Sequence, residues 1–168
     1  MSLYSKILIF SFAIPFIFSF HPQIKFYKHW LAFIKSNIIV AIPFIIWDII
    51  FTSNGVWGFN EEHIGDLYIF NLPIEEVLFF IIIPYCCVFT YFLFDKLSIR
   101  SGSFTNNLTK IIAFLMLLFG FIENNHLYTL CTFISLGTML GILSFLKKDF
   151  MATFYLNYLF ITFSFFLI

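Results

Sequence analysis

Six long apolar runs, separated by short polar links, constrain this chain more than any other feature. They cover about residues 3–20, 31–51, 73–94, 108–122, 127–146 and 151–168, the fourth being the shortest. A helix that crosses a bilayer needs about 20 mainly apolar residues, within a range of about 17–25. The chain is 61% hydrophobic and only 11% charged, whereas soluble domains average about half apolar and a quarter charged. A soluble fold of 168 residues has too little interior to hide that much apolar surface, so a bilayer is the expected solvent. The expected fold is all-α: a polytopic membrane helix bundle with about six transmembrane helices.

Charge separates the links into two sets. Those after the first, third and fifth runs hold Lys25, Lys28, Lys35, Lys96, Arg100, Lys110, Lys147 and Lys148, and only Lys6 remains for the other side. The opposite loops carry Glu61, Glu62, Asp66 and Glu123. Cytoplasmic loops are enriched in Lys and Arg, so the basic links are expected inside and the N-terminus is non-cytoplasmic. The expected location is integral to a membrane, the bacterial cytoplasmic membrane, with membrane lipid as a partner. Nine basic residues balance nine acidic ones, which leaves no basic field for phosphates and excludes nucleic acid as a partner.

Lys6 followed by Ile7–Phe20 looks like a secretory leader, but Phe20-His21-Pro22 offers no small-residue cleavage site, so a retained first helix is expected. The longest link, Thr52–Leu72, holds the turn signal Asn54-Gly55 and the bends Gly58 and Gly65. It is expected to fold back onto the helix ends, with Trp57, Phe59, Tyr68 and Phe70 at the interface. Ser98–Asn107 is polar and rich in Ser, Gly and Asn, which suits a linker between two three-helix halves, residues 1–97 and 98–168. Lys25-Phe26-Tyr27-Lys28-His29 before the second run and Lys147-Lys148-Asp149-Phe150 before the sixth make a weak internal echo.

Three carboxylates stand out by position. Asp48 lies about one turn inside the outer end of the second helix, and Glu75 and Glu76 lie in the first turn of the third. These helices are antiparallel, so all three groups sit at similar depth near one face. Pro73 reads as the first helical residue, and acidic residues just after it complement the helix dipole. That accounts for one glutamate as ordinary helix chemistry. It does not account for Asp48, because a helix C-terminus disfavours a carboxylate, and an ionisable group within a span points to function. Carboxyl groups in apolar surroundings beside one another suit proton transfer, one as acid and its partner as base, without a redox cofactor. Lipid contact and interface anchoring account for most of the 28 Phe, 8 Tyr and 3 Trp. Phe79 and Phe80, one turn beyond the glutamates, are placed to stabilise a transient carbocation with their faces.

Little else suggests chemistry. Cys86, Cys87 and Cys131 lie in apolar runs without metal-ligand spacing, and Glu61-Glu62-His63 lacks a second histidine at useful distance. No nucleotide-binding, serine-hydrolase or zinc-protease motif is present, so neither metal nor cofactor is expected.

The stretch Trp47-Asp48-x-x-Phe51-Thr52-x-x-Gly55-Val56-Trp57-Gly58-Phe59-Asn60, then Leu72-Pro73-Ile74-Glu75-Glu76-x-x-Phe79-Phe80, then Pro84-Tyr85-x-x-Val88-Phe89-x-Tyr91, resembles the lycopene cyclase domain. This is the small integral-membrane type of carotenoid cyclase, not the flavoprotein type. Weaker similarity reaches Tyr128-Thr129-x-x-Thr132-Phe133-Ile134-Ser135. The resemblance implies cyclisation of the linear ends of lycopene or related carotenoids by proton-initiated, non-redox intramolecular addition: an intramolecular lyase or isomerase reaction. Glu75 and Glu76 fall on the family's Pro-x-Glu-Glu type motif and Asp48 on its Trp-Asp position. The expected roles are acid and base for Glu75 and Glu76, orientation or tuning for Asp48, and a polyene site lined by Trp47, Phe51, Trp57, Phe79 and Phe80. Fused members carry a second half ending in another such acidic motif. This chain reaches Ile168 before that loop, so the expectation is a C-terminally truncated second half, and a partner that is a second half-subunit or a homo-oligomer. The rival readings are a non-catalytic membrane subunit that binds carotenoid or a partner helix bundle, and a small proton-coupled transporter. A transporter places its acidic groups near the bilayer midplane, and these lie near one face.

Overall fold

The computed structural model describes residues 2–96, 103–123, 126–146 and 149–166. Among them are six α-helices: α1 (Leu3–Ser19), α2 (Trp30–Ser53), α3 (Ile74–Asp95), α4 (Ser103–Ile122), α5 (Leu127–Phe145) and α6 (Met151–Phe166). A short 3-10 turn, Phe26–His29, runs directly into α2, and a small hairpin, β1 (Tyr68–Ile69) and β2 (Leu72–Pro73), leads into α3. Arg100, Lys147, Lys148 and residues 98–102 of the proposed Ser98–Asn107 linker, and with them part of the charge and echo patterns, lie outside the described residues. So does the end of the chain at Ile168.

Among the described residues, four helices are long and apolar enough to cross a membrane: Phe26–Ser53, Ile74–Asp95, Thr105–Ile122 and Leu127–Phe145. α1 and α6 are shorter apolar helices, so the shortest are not the fourth, as the apolar runs predict. α4 begins at Ser103 and takes in Thr105, Asn106 and Asn107, residues expected in the linker. Polar side chains stop an apolar run without stopping a helix, because a helix end that emerges into the interface is solvated there. The outward faces of all six helices carry large apolar side chains, among them Phe10, Ile39, Phe121 and Phe163. Such continuous apolar cover is foreign to a protein in water and ordinary for one in lipid.

The chain divides into two compact units, Met1–Leu93 and Phe94–Ile168. In the first, α1, α2 and α3 meet through large side chains. Phe26, Tyr85 and Phe89 are buried at its core, with Phe12, Trp30 and Phe33 around them. The Tyr85 hydroxyl receives the Trp30 indole N–H at 3.1 Å and bonds the Ser19 hydroxyl. Each of these helices contains a proline: Pro15, Pro43 and Pro84. A proline has no N–H, so the carbonyl four residues earlier loses its helical donor, and in lipid that group must find another. Two replacements come from neighbouring helices. Asn37 Nδ2 on α2 donates to the Phe80 carbonyl that Pro84 leaves open, at 3.1 Å. The Cys86 thiol on α3 donates to the Ser11 carbonyl that Pro15 leaves open, at 3.4 Å.

The second unit is built on close packing of α4 against α5. A Cβ atom added to Gly137 would stand 2.8 Å from Leu117 Cγ and 3.0 Å from the Ala113 carbonyl oxygen. Small residues let helix backbones approach where no water drives them together. Tyr155 on α6 donates its hydroxyl proton to Thr109 Oγ1 on α4 at 2.9 Å.

Candidate active site

The link between α2 and α3 folds back onto the helix ends. Asn71, at the hairpin turn, donates to the Ile49 carbonyl at 2.9 Å and to Ser53 Oγ at 3.0 Å. The Leu67 carbonyl accepts the Ile74 N–H at 2.8 Å. Pro73 lies in β2, paired with Tyr68, one residue before the helix rather than inside it. The hairpin occupies its backbone while its ring still permits the helix to start at the next residue. Glu75 and Glu76 follow in the first turn of α3, as expected.

Asp48 is 5% exposed. Its Oδ1 accepts the Trp57 indole N–H at 2.7 Å, and Thr52 Oγ1, one turn along α2, shares that donor at 3.1 Å. Asp48 Oδ2 is buried with no hydrogen-bond partner among the described residues. Glu75 is 2% exposed. Its Oε1 accepts from Ser2 Oγ at 2.6 Å and Ser5 Oγ at 2.8 Å, and its Oε2 is buried with no hydrogen-bond partner among the described residues. Gly65 closes over the same carboxylate: a Cβ there would lie 2.9 Å from Oε1. Glu76 is half-buried and accepts the Tyr4 hydroxyl proton on Oε2 at 2.8 Å. Tyr4 lies within electrostatic range of Asp48, Glu75 and Glu76 together, and Glu76 feels the charge of Asp48. Glu75 and Glu76 therefore both meet the first turn of α1, and Asp48 lies within electrostatic range of Glu76 and Tyr4.

The five predicted aromatic residues, joined by Phe44 and Tyr4, connect these groups. Ring follows ring from Trp57 to Phe51 at 5.1 Å, Trp47 at 5.4 Å, Phe44 at 5.8 Å, Phe80 at 6.3 Å, Phe79 at 5.7 Å and Tyr4 at 6.5 Å. Phe44, Trp47 and Phe51 recur at three- and four-residue spacing, which puts them on one stripe of α2. The arc runs across α2, α3 and α1, from the donor that holds Asp48 to the donor that holds Glu76.

Sequence reasoning missed Ser2, Tyr4, Ser5, Phe44 and Gly65. The signal for the first three was present. Ser2 caps α1, its hydroxyl accepting the Ser5 N–H at 3.0 Å, and a Ser at that place is a preferred helix cap. With α1 and α3 starting from the same face, Tyr4 and Glu76 fall at one depth. Among the described residues, no group of three or more His, Cys, Asp or Glu is arranged to hold a metal ion. His63 contributes its backbone carbonyl, which accepts the Tyr4 N–H at 3.1 Å.

The Asp48–Trp57 bond sets a first expected result. Trp57→Phe keeps a ring against Phe51 and removes the donor of a buried carboxylate. It should destabilise the protein by about 1–3 kcal/mol, read as a lower midpoint of denaturant unfolding in detergent micelles. Trp47→Phe is the control, since the Trp47 indole N–H is buried without a partner among the described residues. Equal losses for the two variants would show that the Asp48 contact contributes nothing.

A family model for lycopene cyclase matches residues 1–94 and 125–168. Comparison with curated proteins gives no match, and neither does comparison with solved structures. The first matched stretch contains every carboxylate and ring of the arc, and the two together cover most of the sequence. The chain therefore belongs to the lycopene cyclase family, a family of carotenoid cyclases.

Proposed function

We propose that this chain forms rings at the linear ends of a carotenoid by acid–base chemistry within the membrane. The observation that carries this reading is the arc of seven aromatic rings between two carboxylates. A polyene end is apolar, and the reaction passes through carbocations. Such cations are stabilised by ring faces and destroyed by nucleophiles, water above all.

The steps use only a proton. A carboxyl group of the Glu75–Glu76 pair gives its proton to the terminal double bond, whose π electrons form the new C–H bond. The tertiary cation so formed is attacked by the next double bond, which closes the ring. A carboxylate then removes a proton from the ring carbon beside the cation, and that C–H pair becomes the ring double bond. Product and substrate are isomers, so no electrons leave or enter. Asp48 tunes the pair through its charge. Trp47, Phe51, Trp57, Phe79 and Phe80 line the path of the polyene end.

The same proposal places all six helices across the bacterial cytoplasmic membrane with the N-terminus outside, supported by the division of Lys and Arg between the links. A periplasm-dependent reporter should be active when fused ahead of residue 2 and silent when fused after Lys96. The reverse pattern would overturn the orientation.

Function is tested by expressing the chain in a lycopene-accumulating bacterium, alone and with a second half-subunit of the family, and analysing the pigments. Cyclic carotenoids are the expected product, in the second strain if a second half-subunit is the required partner. Linear lycopene alone in both strains, with the protein present in membranes, would favour a non-catalytic binding subunit.

A further inference from the structure

The first turn of α1 treats the two glutamates differently. Glu75 faces two hydroxyls with one oxygen, the Gly65 backbone presses on that oxygen, and the other oxygen is sealed in. Ser2 and Ser5 also lie 2.8 Å apart, Oγ to Oγ. Each hydroxyl has one proton, and the three contacts of this triangle lie wholly inside the junction of α1 with α3, where they hold the Glu75 carboxyl in place. No polyene atom reaches a side chain that is 2% exposed.

Glu76 is placed otherwise. It is half-buried, next in line to Phe79 and Phe80, and one of its oxygens meets Tyr4 alone. A phenol both donates and accepts. The Tyr4 contact therefore persists whether Glu76 is charged, when Tyr4 donates, or protonated, when Tyr4 can accept. Tyr4 is itself fixed twice, by its N–H to the His63 carbonyl and by its ring against Phe79. The titratable groups that Glu76 senses from the elements around it are Tyr4 on α1 and Asp48 on α2.

The geometry points to a division of labour: Glu76 is the carboxyl that gives and retakes the proton, Tyr4 is the positioning residue that aims it, and Glu75 is a fixed anchor tying α3 to α1. This rests on the cyclase reading. In the cycle, Glu76 protonates the terminal alkene and becomes a carboxylate that accepts from Tyr4. It then removes the proton from the ring carbon beside the cation and returns to its starting state, so one residue closes the proton balance.

Two experiments on the 168-residue chain test the division separately from the activity. The first is infrared difference spectroscopy of the protein in lipid vesicles on acidification. Glu76→Gln should delete a protonated-carboxyl C=O band, Tyr4→Phe should shift that same band, and Glu75→Gln should leave it in place. A band deleted by Glu75→Gln, or unmoved by Tyr4→Phe, overturns the division even where no ring is formed. The second is ring formation. Glu76→Gln should lower it at least about tenfold further than Glu75→Gln at equal membrane levels. Tyr4→Phe should lower kcat about tenfold, leave KM unchanged and alter the pH profile of kcat. A Tyr4→Phe enzyme with an unaltered profile reduces Tyr4 to a packing residue. A wild-type chain that shows the infrared pattern but makes no ring, alone or with a second half-subunit of the family, instead defeats the cyclase reading.

Discussion

Replacing both Glu75 and Glu76 with glutamine is expected to reduce ring formation to background, a loss of at least about a thousandfold. Glutamine has the shape of glutamate and keeps a carbonyl oxygen. Ser2, Ser5 and Tyr4 thus retain an acceptor at each position, and the junction of α1 with α3 is preserved. What disappears is any group in that turn able to carry a transferable proton. Pigment extracted from lycopene-accumulating cells reads the activity, and immunoblotting of membranes confirms that the protein is made. Rings produced at the wild-type rate by the double variant would remove this turn of α3 from the chemistry. Asp48 does not substitute for the pair, since one of its oxygens is held by Trp57 and the side chain is 5% exposed.

The other large effect lies in the second unit. Gly137→Val should destabilise the α4–α5 pair by about 1–3 kcal/mol, the usual cost of forcing extra carbon into a filled interface. The first added carbon already stands 3.0 Å from the Ala113 carbonyl oxygen. That neighbour is backbone, so it yields only if the helices separate. Leu117 on the same face leaves no room for the remaining methyl groups. Gly141, four residues on, has nothing within 4 Å of an added Cβ. Gly141→Ala should therefore be neutral or slightly stabilising, by up to about 1 kcal/mol from helix propensity. Unfolding of both variants by sodium dodecyl sulfate in mixed micelles gives the comparison. Equal stability for Gly137→Val and Gly141→Ala would mean that the two helices do not pack along this seam.

The helices were legible because lipid imposes one requirement that apolar residues report directly. The runs at 31–51 and 73–94 became α2 and α3 with ends shifted by only a residue or two. Where polar residues extended a helix beyond its apolar run, as at Ser103–Asn107, hydropathy placed the boundary too late. The candidate site was legible in its acids, since Asp48, Glu75 and Glu76 are anomalous in a span whatever surrounds them. Their partners were not. Ser2, Tyr4 and Ser5 are ordinary residues at a helix start, and only the parallel course of α1 and α3 puts them opposite the glutamates. Phe44 went unnoticed for the opposite reason: in a chain with 28 phenylalanines, one more has no distinguishing mark until its neighbours are known.

The prolines inside the helices carry a consequence for how such a bundle chooses its arrangement. Pro84 and Pro15 each uncover one backbone oxygen, and Asn37 and Cys86 each reach it from a different helix. A gap in one backbone thus becomes a keyhole that only a donor at the right height on a neighbour can fill. Greasy surfaces slide past one another with little preference, so two such locks help to set which helix lies beside which, and at what register.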